Sequence, residues 1–111
     1  MTIRSCIAFL DALHPNQIDG AINSRWLGEL EGKIRAELHD VPLTRLEEWE
    51  EDAGEDAVLI VPFPYDQLYW TYLVAMTHFY HGDGARYENA AALFNAAYQS
   101  YAKYLRRMGG V

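Results

Sequence analysis

The chain has 111 residues, half of them apolar and 14% aromatic, with 16 acids against 9 bases and a formal net charge of −7. That length suits one domain and excludes two of ordinary size, so a two-lobed enzyme with a cleft between lobes is not expected. The apolar content excludes disorder over the whole length, and the acidic balance opposes the counterion release that rewards a broad basic face on nucleic acid.

Residues 2–13 place Ile3, Ile7, Leu10 and Leu13 four, three and three apart, on one stripe of a short amphipathic helix. His14-Pro15-Asn16 ends it, because proline lacks an amide donor and pushes the residue before it out of the helical region. Cys6, the single cysteine, lies beside this stripe; it cannot form an intramolecular disulfide, and a reducing compartment is the expected setting. The opening Met1-Thr2-Ile3-Arg4-Ser5 leads into a short apolar stretch broken by Asp11, with no cleavage-site pattern. Asp19 is placed to cap a second helix over 19–39, where Ile22, Trp26, Leu30, Ile34 and Leu38 recur every four residues and Leu27 widens the stripe.

The pattern breaks over 41–61. Glu47, Glu48, Glu50, Glu51, Asp52, Glu55 and Asp56 face the lone base Arg45, so this stretch carries −6 of the −7; residues 1–40 hold −2 and residues 62–111 hold +1. Thr44 with Glu47 three residues on has the form of a capping box for one or two turns, and Val58-Leu59-Ile60-Val61 reads as a short buried strand or extended segment. As a whole the stretch reads as a long solvated loop, of a length that implies a contact role.

Pro62-Phe63-Pro64-Tyr65-Asp66 excludes helix and leads into a third helix over 66–81, whose apolar and aromatic residues run nearly all round it, so that it must be buried on most sides. Gly82-Asp83-Gly84 makes the turn to a fourth helix over 85–108. Tyr87, Ala91, Phe94, Tyr98, Tyr101, Leu105 and Met108 form a heptad seam along it. About 24 residues at ~1.5 Å rise give ~36 Å, so this helix spans or overhangs a domain whose radius of gyration is ~13 Å, and its last turn is expected to lack own-chain support. Lys103, Arg106 and Arg107 form a basic patch there. The expected fold is all-α: one domain over residues 1–111, a small bundle of about four helices with a long acidic loop between the second and third. No run approaches the ~18 apolar residues of a membrane span, so no membrane partner is expected.

No catalytic constellation stands out. His78, His81 and Asp83 are spaced to approach one metal ion, but no second histidine or cysteine pair completes a ligand set, and no metal is expected. Cys6 reads as an inert buried thiol with no adjacent base. The carboxylates between Glu47 and Asp56 sit in a hydrated run rather than the desolvated pocket that a general acid needs. Gly82-Asp83-Gly84 lacks the preceding strand and further glycine of a phosphate-binding loop. No cofactor and no enzymatic activity are expected. All eight tyrosines follow residue 64; Tyr98 and Tyr101 belong to the seam and read as core, whereas Tyr69 and Tyr104 fall off the stripes and join Lys103, Arg106 and Arg107 as candidate subunit or portal contacts.

Four strings carry a resemblance: Leu10-Asp11-Ala12-Leu13-His14-Pro15-Asn16; Arg25-Trp26-Leu27-Gly28-Glu29-Leu30-Glu31-Gly32; Val61-Pro62-Phe63-Pro64-Tyr65-Asp66-Gln67-Leu68-Tyr69; and Arg86-Tyr87-Glu88-Asn89 with Ala92-Leu93-Phe94-Asn95-Ala96-Ala97-Tyr98. Together they resemble the head-tail connector (adaptor, head-completion) proteins of tailed bacteriophages and prophages. The resemblance covers almost the whole chain; the stretch 41–61 departs from it. It implies a small helical virion protein that docks beneath the portal protein and forms a homo-oligomeric ring, commonly of twelve copies, as a platform for a tail-side connector or stopper protein. DNA would pass through only as cargo. The setting implied is the head-tail junction, with the host cytoplasm as the place of assembly. The acidic residues Glu47 to Asp56 would then meet a neighbour or line the channel. Two other readings stay open at this point. One is an acidic regulatory protein that mimics DNA as a monomer, against which the clustering of charge in one segment argues; the other is a small metal-dependent hydrolase using His78 and His81.

Overall fold

The first helix begins where Thr2 and Ser5 cap each other: the Ser5 amide donates to the Thr2 hydroxyl at 3.1 Å and the Thr2 amide to the Ser5 hydroxyl at 2.8 Å. In the computed structural model, which describes residues 1–13, 18–46, 54 and 56–109, this helix, α1, spans Ile3–Leu13. Ile3, Cys6 and Leu10 are buried, whereas Leu13, the end of the expected stripe, is exposed. Burial beside Asp66 pushes the Cys6 thiol up to about 12, so it stays protonated and unreactive.

Helix α2 spans Gly20–Leu38, and Asp19 caps it as expected, accepting from the Ala21 amide at 2.8 Å. Its end is set by Asp40, whose φ of 53° turns the chain so that the Val41 amide reaches the Arg35 carbonyl at 2.9 Å. The buried face is rotated from the expected one. Asn23, Leu27, Leu30, Glu31 and Ile34 are inside, while Ile22 is exposed and Trp26 and Leu38 only pack against the core.

Helix α3 spans Gln67–Tyr80 and α4 spans Gly84–Arg107. The turn between them is a Schellman motif: the Asp83 amide donates to the His78 carbonyl at 3.0 Å and the Gly82 amide to the Phe79 carbonyl at 3.1 Å. Gly82 takes the left-handed conformation this requires, with φ 73°. Asp83 then caps α4, accepting from the Arg86 amide at 3.1 Å. The α3–α4 pair is the most extensively packed in the molecule; Ala90 and Ala97, small residues beside the expected seam, are buried in it together with Tyr101. Met108, the last residue of that seam, is exposed.

The principal extents are 37 × 29 × 21 Å, and α4, 24 residues at ~1.5 Å rise, is nearly as long as the largest of them. The protein is mostly helical, with no strand among the described residues.

The expected long loop is shorter than 41–61. Residues 43–46 are helical, starting from Pro42, whose carbonyl accepts from the Arg45 and Leu46 amides, so Thr44 lies inside this turn and does not cap it. Residues 57–61 alternate outside and inside, with Val58 exposed and Leu59 and Val61 buried, and the chain bends at Ile60 and Val61. Val58 makes an isolated antiparallel bridge with Thr2. Apolar Leu59 and Val61 are worth burying, which draws this end of the stretch into the core. Glu47, Glu48, Glu50, Glu51, Asp52 and Glu55 lie outside the described residues. Asp56 is exposed and pairs with Arg4 at 3.0 Å.

Candidate interaction surface

Two polar arrangements organise the molecule, one internal and one at the end of α4. The internal one centres on Glu31, which is fully buried. Its Oε2 accepts from the Ile60 amide at 2.7 Å and lies 3.3 Å from the Arg35 guanidinium; its Oε1 accepts from the Tyr69 hydroxyl at 2.7 Å. The Tyr69 oxygen in turn accepts from the Val61 amide at 3.0 Å. Burial, then the charge and hydrogen bond of Glu31, push the Tyr69 phenol well above its ordinary range. Both carboxylate oxygens are engaged by the protein itself, and Tyr69 is fully buried, so the cluster holds the stretch 57–61 against α2 and α3 and presents no open group to a substrate.

Tyr69 is therefore a core residue, not the surface contact expected from its place off the stripe. A hydroxyl committed to a buried carboxylate and a backbone amide explains why a tyrosine is inside there.

The second arrangement starts at the turn 62–65, closed by the Tyr65 amide on the Pro62 carbonyl at 2.9 Å, with a cis Phe63–Pro64 bond. The Tyr65 ring stacks on Tyr104 with centroids 4.9 Å apart, and lies 5.7 Å from Tyr101. Tyr101 shares a hydrogen bond of 2.8 Å with His39 Nε2, at the end of α2. One turn earlier the Tyr98 hydroxyl donates to Glu37 Oε2 at 2.8 Å; burial and that bond push the phenol up to about 12. Burial lowers the His39 pKa, with Arg35 acting in the same direction against Glu31 and Asp40. A neutral imidazole suits the Tyr101 hydroxyl, whose own pKa is raised by burial and by Glu31.

This aromatic cluster gives the end of α4 the support that length alone did not promise. On it stand Lys103, Arg106 and Arg107, all exposed, lining an open hollow with Ser100. None of the three makes an ion pair among the described residues. Two of them lie in the last turn, where the helix dipole favours positive charge. Tyr104 is half-buried between them and Tyr65, so four of the five expected contact residues stand together and Tyr69 stands apart. Phe63, in the turn before Tyr65, and Met108, next after Arg107, are 86% and 67% exposed. Sequence reasoning missed Phe63, although two prolines bracketing an aromatic were a signal for an apolar group held away from the core.

Among the described residues no group of three or more histidine, cysteine or acidic side chains is placed to hold a metal ion. Asp83 of the expected trio is engaged in capping α4. No helix of the described residues is long and apolar enough to cross a membrane.

Comparison of the chain with protein-family models, with curated proteins and with solved structures returns no match.

Proposed function

We propose that the chain is a structural protein of a tailed-bacteriophage or prophage head-tail junction, a connector that assembles as a ring beneath the portal protein and carries the tail-side connector. The observation that carries this reading is the basic end of α4: three bases without ion-pair partners among the described residues, on a 24-residue helix whose end is fixed by the packing of Tyr65 on Tyr104 and Tyr101. A fixed, unpaired charge cluster is suited to a partner surface, since it needs little reordering to bind. The four sequence strings supply the class of assembly. In this role the protein is not an enzyme, DNA is cargo only, and ring neighbours meet through different faces of the same chain, as a closed ring of more than two copies requires. The acidic segment meets a neighbour or faces the channel; fixed negative charge there would give passing phosphates nothing to grip.

The test is the double reversal Arg106→Glu/Arg107→Glu, mixed with the portal protein of the same genome and inspected by negative-stain microscopy and in a head-to-tail joining assay. The variant is expected to keep its melting curve, both side chains being exposed, and to lose joining. Normal joining by the variant overturns the reading.

A further inference from the structure

The hollow at the end of α4 is lined by Ser100, Lys103, Arg106 and Arg107, with no acid and no aromatic ring among its described lining residues. At about 3.6 residues per turn these four positions fall within about 120° of the helix circumference, so the three positive charges and the hydroxyl share one face. None of the bases is in an ion pair among the described residues. Glu37, the acid of α2 that bonds to α4, is taken by the Tyr98 hydroxyl at 2.8 Å, about 160° round the helix from Ser100. The carbonyls of Tyr104 and Arg106, which would repel an anion at a helix C-terminus, accept the Met108 and Gly109 amides at 3.1 Å. The backbone under the hollow is fixed by the packing of Tyr65 on Tyr104 and Tyr101.

Three like charges held on one face repel one another, and a multiply charged anion relieves all of them at once. A carboxylate brings one charge on two oxygens in a plane. A phosphate with a free end brings nearly two, on three oxygens that point in different directions. Two guanidinium forks, an ammonium and a hydroxyl offer more donors than a carboxylate can accept, and the forks match phosphate oxygens in pairs. With no ring or apolar wall in the lining, nothing is provided for a nucleobase or an acyl chain. The −7 of the whole chain opposes a long nucleic-acid strand.

We infer that the hollow of Ser100, Lys103, Arg106 and Arg107 is a binding site for the phosphate end of a small anion, of which inorganic triphosphate is the simplest probe. This goes beyond the connector reading. The bases that take the anion are those given above to a protein partner, so the two compete for them.

Amide chemical-shift titration of the full chain with triphosphate at ~50 mM salt tests it. Saturating shifts over residues 100–109 are expected, with a dissociation constant below about 1 mM. Arg106→Gln/Arg107→Gln should weaken binding at least about tenfold and Ser100→Ala about threefold, with melting curves unchanged because all three side chains are exposed. Adenosine triphosphate, the other common source of this group, should bind no more tightly than triphosphate itself; a clear gain from the nucleoside overturns recognition by phosphate alone. Absence of saturation, or full affinity in the Arg106→Gln/Arg107→Gln variant, reduces the ligand to an adventitious ion only and overturns the inference. Tighter binding of a glutamate-rich peptide assigns the hollow to acidic protein, and tighter binding of a DNA duplex assigns it to the nucleic-acid backbone; either result also overturns it. Triphosphate binding as described in a chain whose Arg106→Glu/Arg107→Glu variant still joins heads to tails keeps this inference and removes the connector reading. Loss of joining in that variant without triphosphate binding by the wild type does the reverse.

Discussion

The Tyr69 hydroxyl on α3 donates to Glu31 on α2 across 2.7 Å while its oxygen accepts the Val61 amide at 3.0 Å, so one phenol links two helices and the stretch 57–61. Removing it with Tyr69→Phe leaves a buried carboxylate oxygen and a buried amide without partners, at a cost of about 2–3 kcal/mol. Glu31→Ala takes the acceptor from both the Ile60 amide and the Tyr69 hydroxyl and should cost about 3–5 kcal/mol. Urea unfolding measures both. The double variant should fall well short of the sum, since the two residues share one network; strict additivity would show that the network does not act as a unit.

Asn23 is buried, and neither atom of its amide has a hydrogen-bond partner among the described residues. Desolvation without a partner is unfavourable, so Asn23→Leu, of similar shape, should stabilise the protein by about 1–2 kcal/mol. The urea midpoint should rise with the slope unchanged. A lower midpoint would mean that the amide is satisfied in solution.

Acidification should weaken the fold through His39. Its folded pKa lies below the ordinary value of 6.5, so below that pH the unfolded chain binds the proton first, and stability falls as the pH drops from 6.5 toward the folded value. Above 6.5 this contribution is fully present. His39→Gln, which keeps a side chain able to pair with Tyr101, should flatten that part of the stability profile between pH 7 and the acid limb, with thermal melts at stepped pH as the measurement. An unchanged profile assigns the loss to other groups.

The helices were legible because capping and breaking residues act locally: Asp19, Asp83 and Gly82 do in the structure what their types demand at those positions. Which face of α2 is inside was not. The apolar stripe from Ile22 to Leu38 competes with a neighbouring line through Asn23, Leu27, Glu31 and Ile34, and tertiary pairing decides between them. Glu31 lies four residues after Leu27 and three before Ile34, with Arg35 four further on; an acid in register with a core stripe and followed by a base one turn later was the available signal. Tyr69 was misplaced for the same reason, since its partner is distant in sequence. The candidate surface was legible in its charges, which are local, and illegible in Phe63, whose position depends on Tyr65 finding Tyr104.

Helix α4 runs without a break from Gly84 to Arg107 and is gripped by rings at both ends. The Phe79 and Tyr87 rings lie 5.5 Å apart beside the Gly82 turn, and Tyr65 with His39 packs against Tyr101 and Tyr104 at the other end. The two clusters share no residue, so a substitution in one unfastens one end of the helix and leaves the other end's contacts in place.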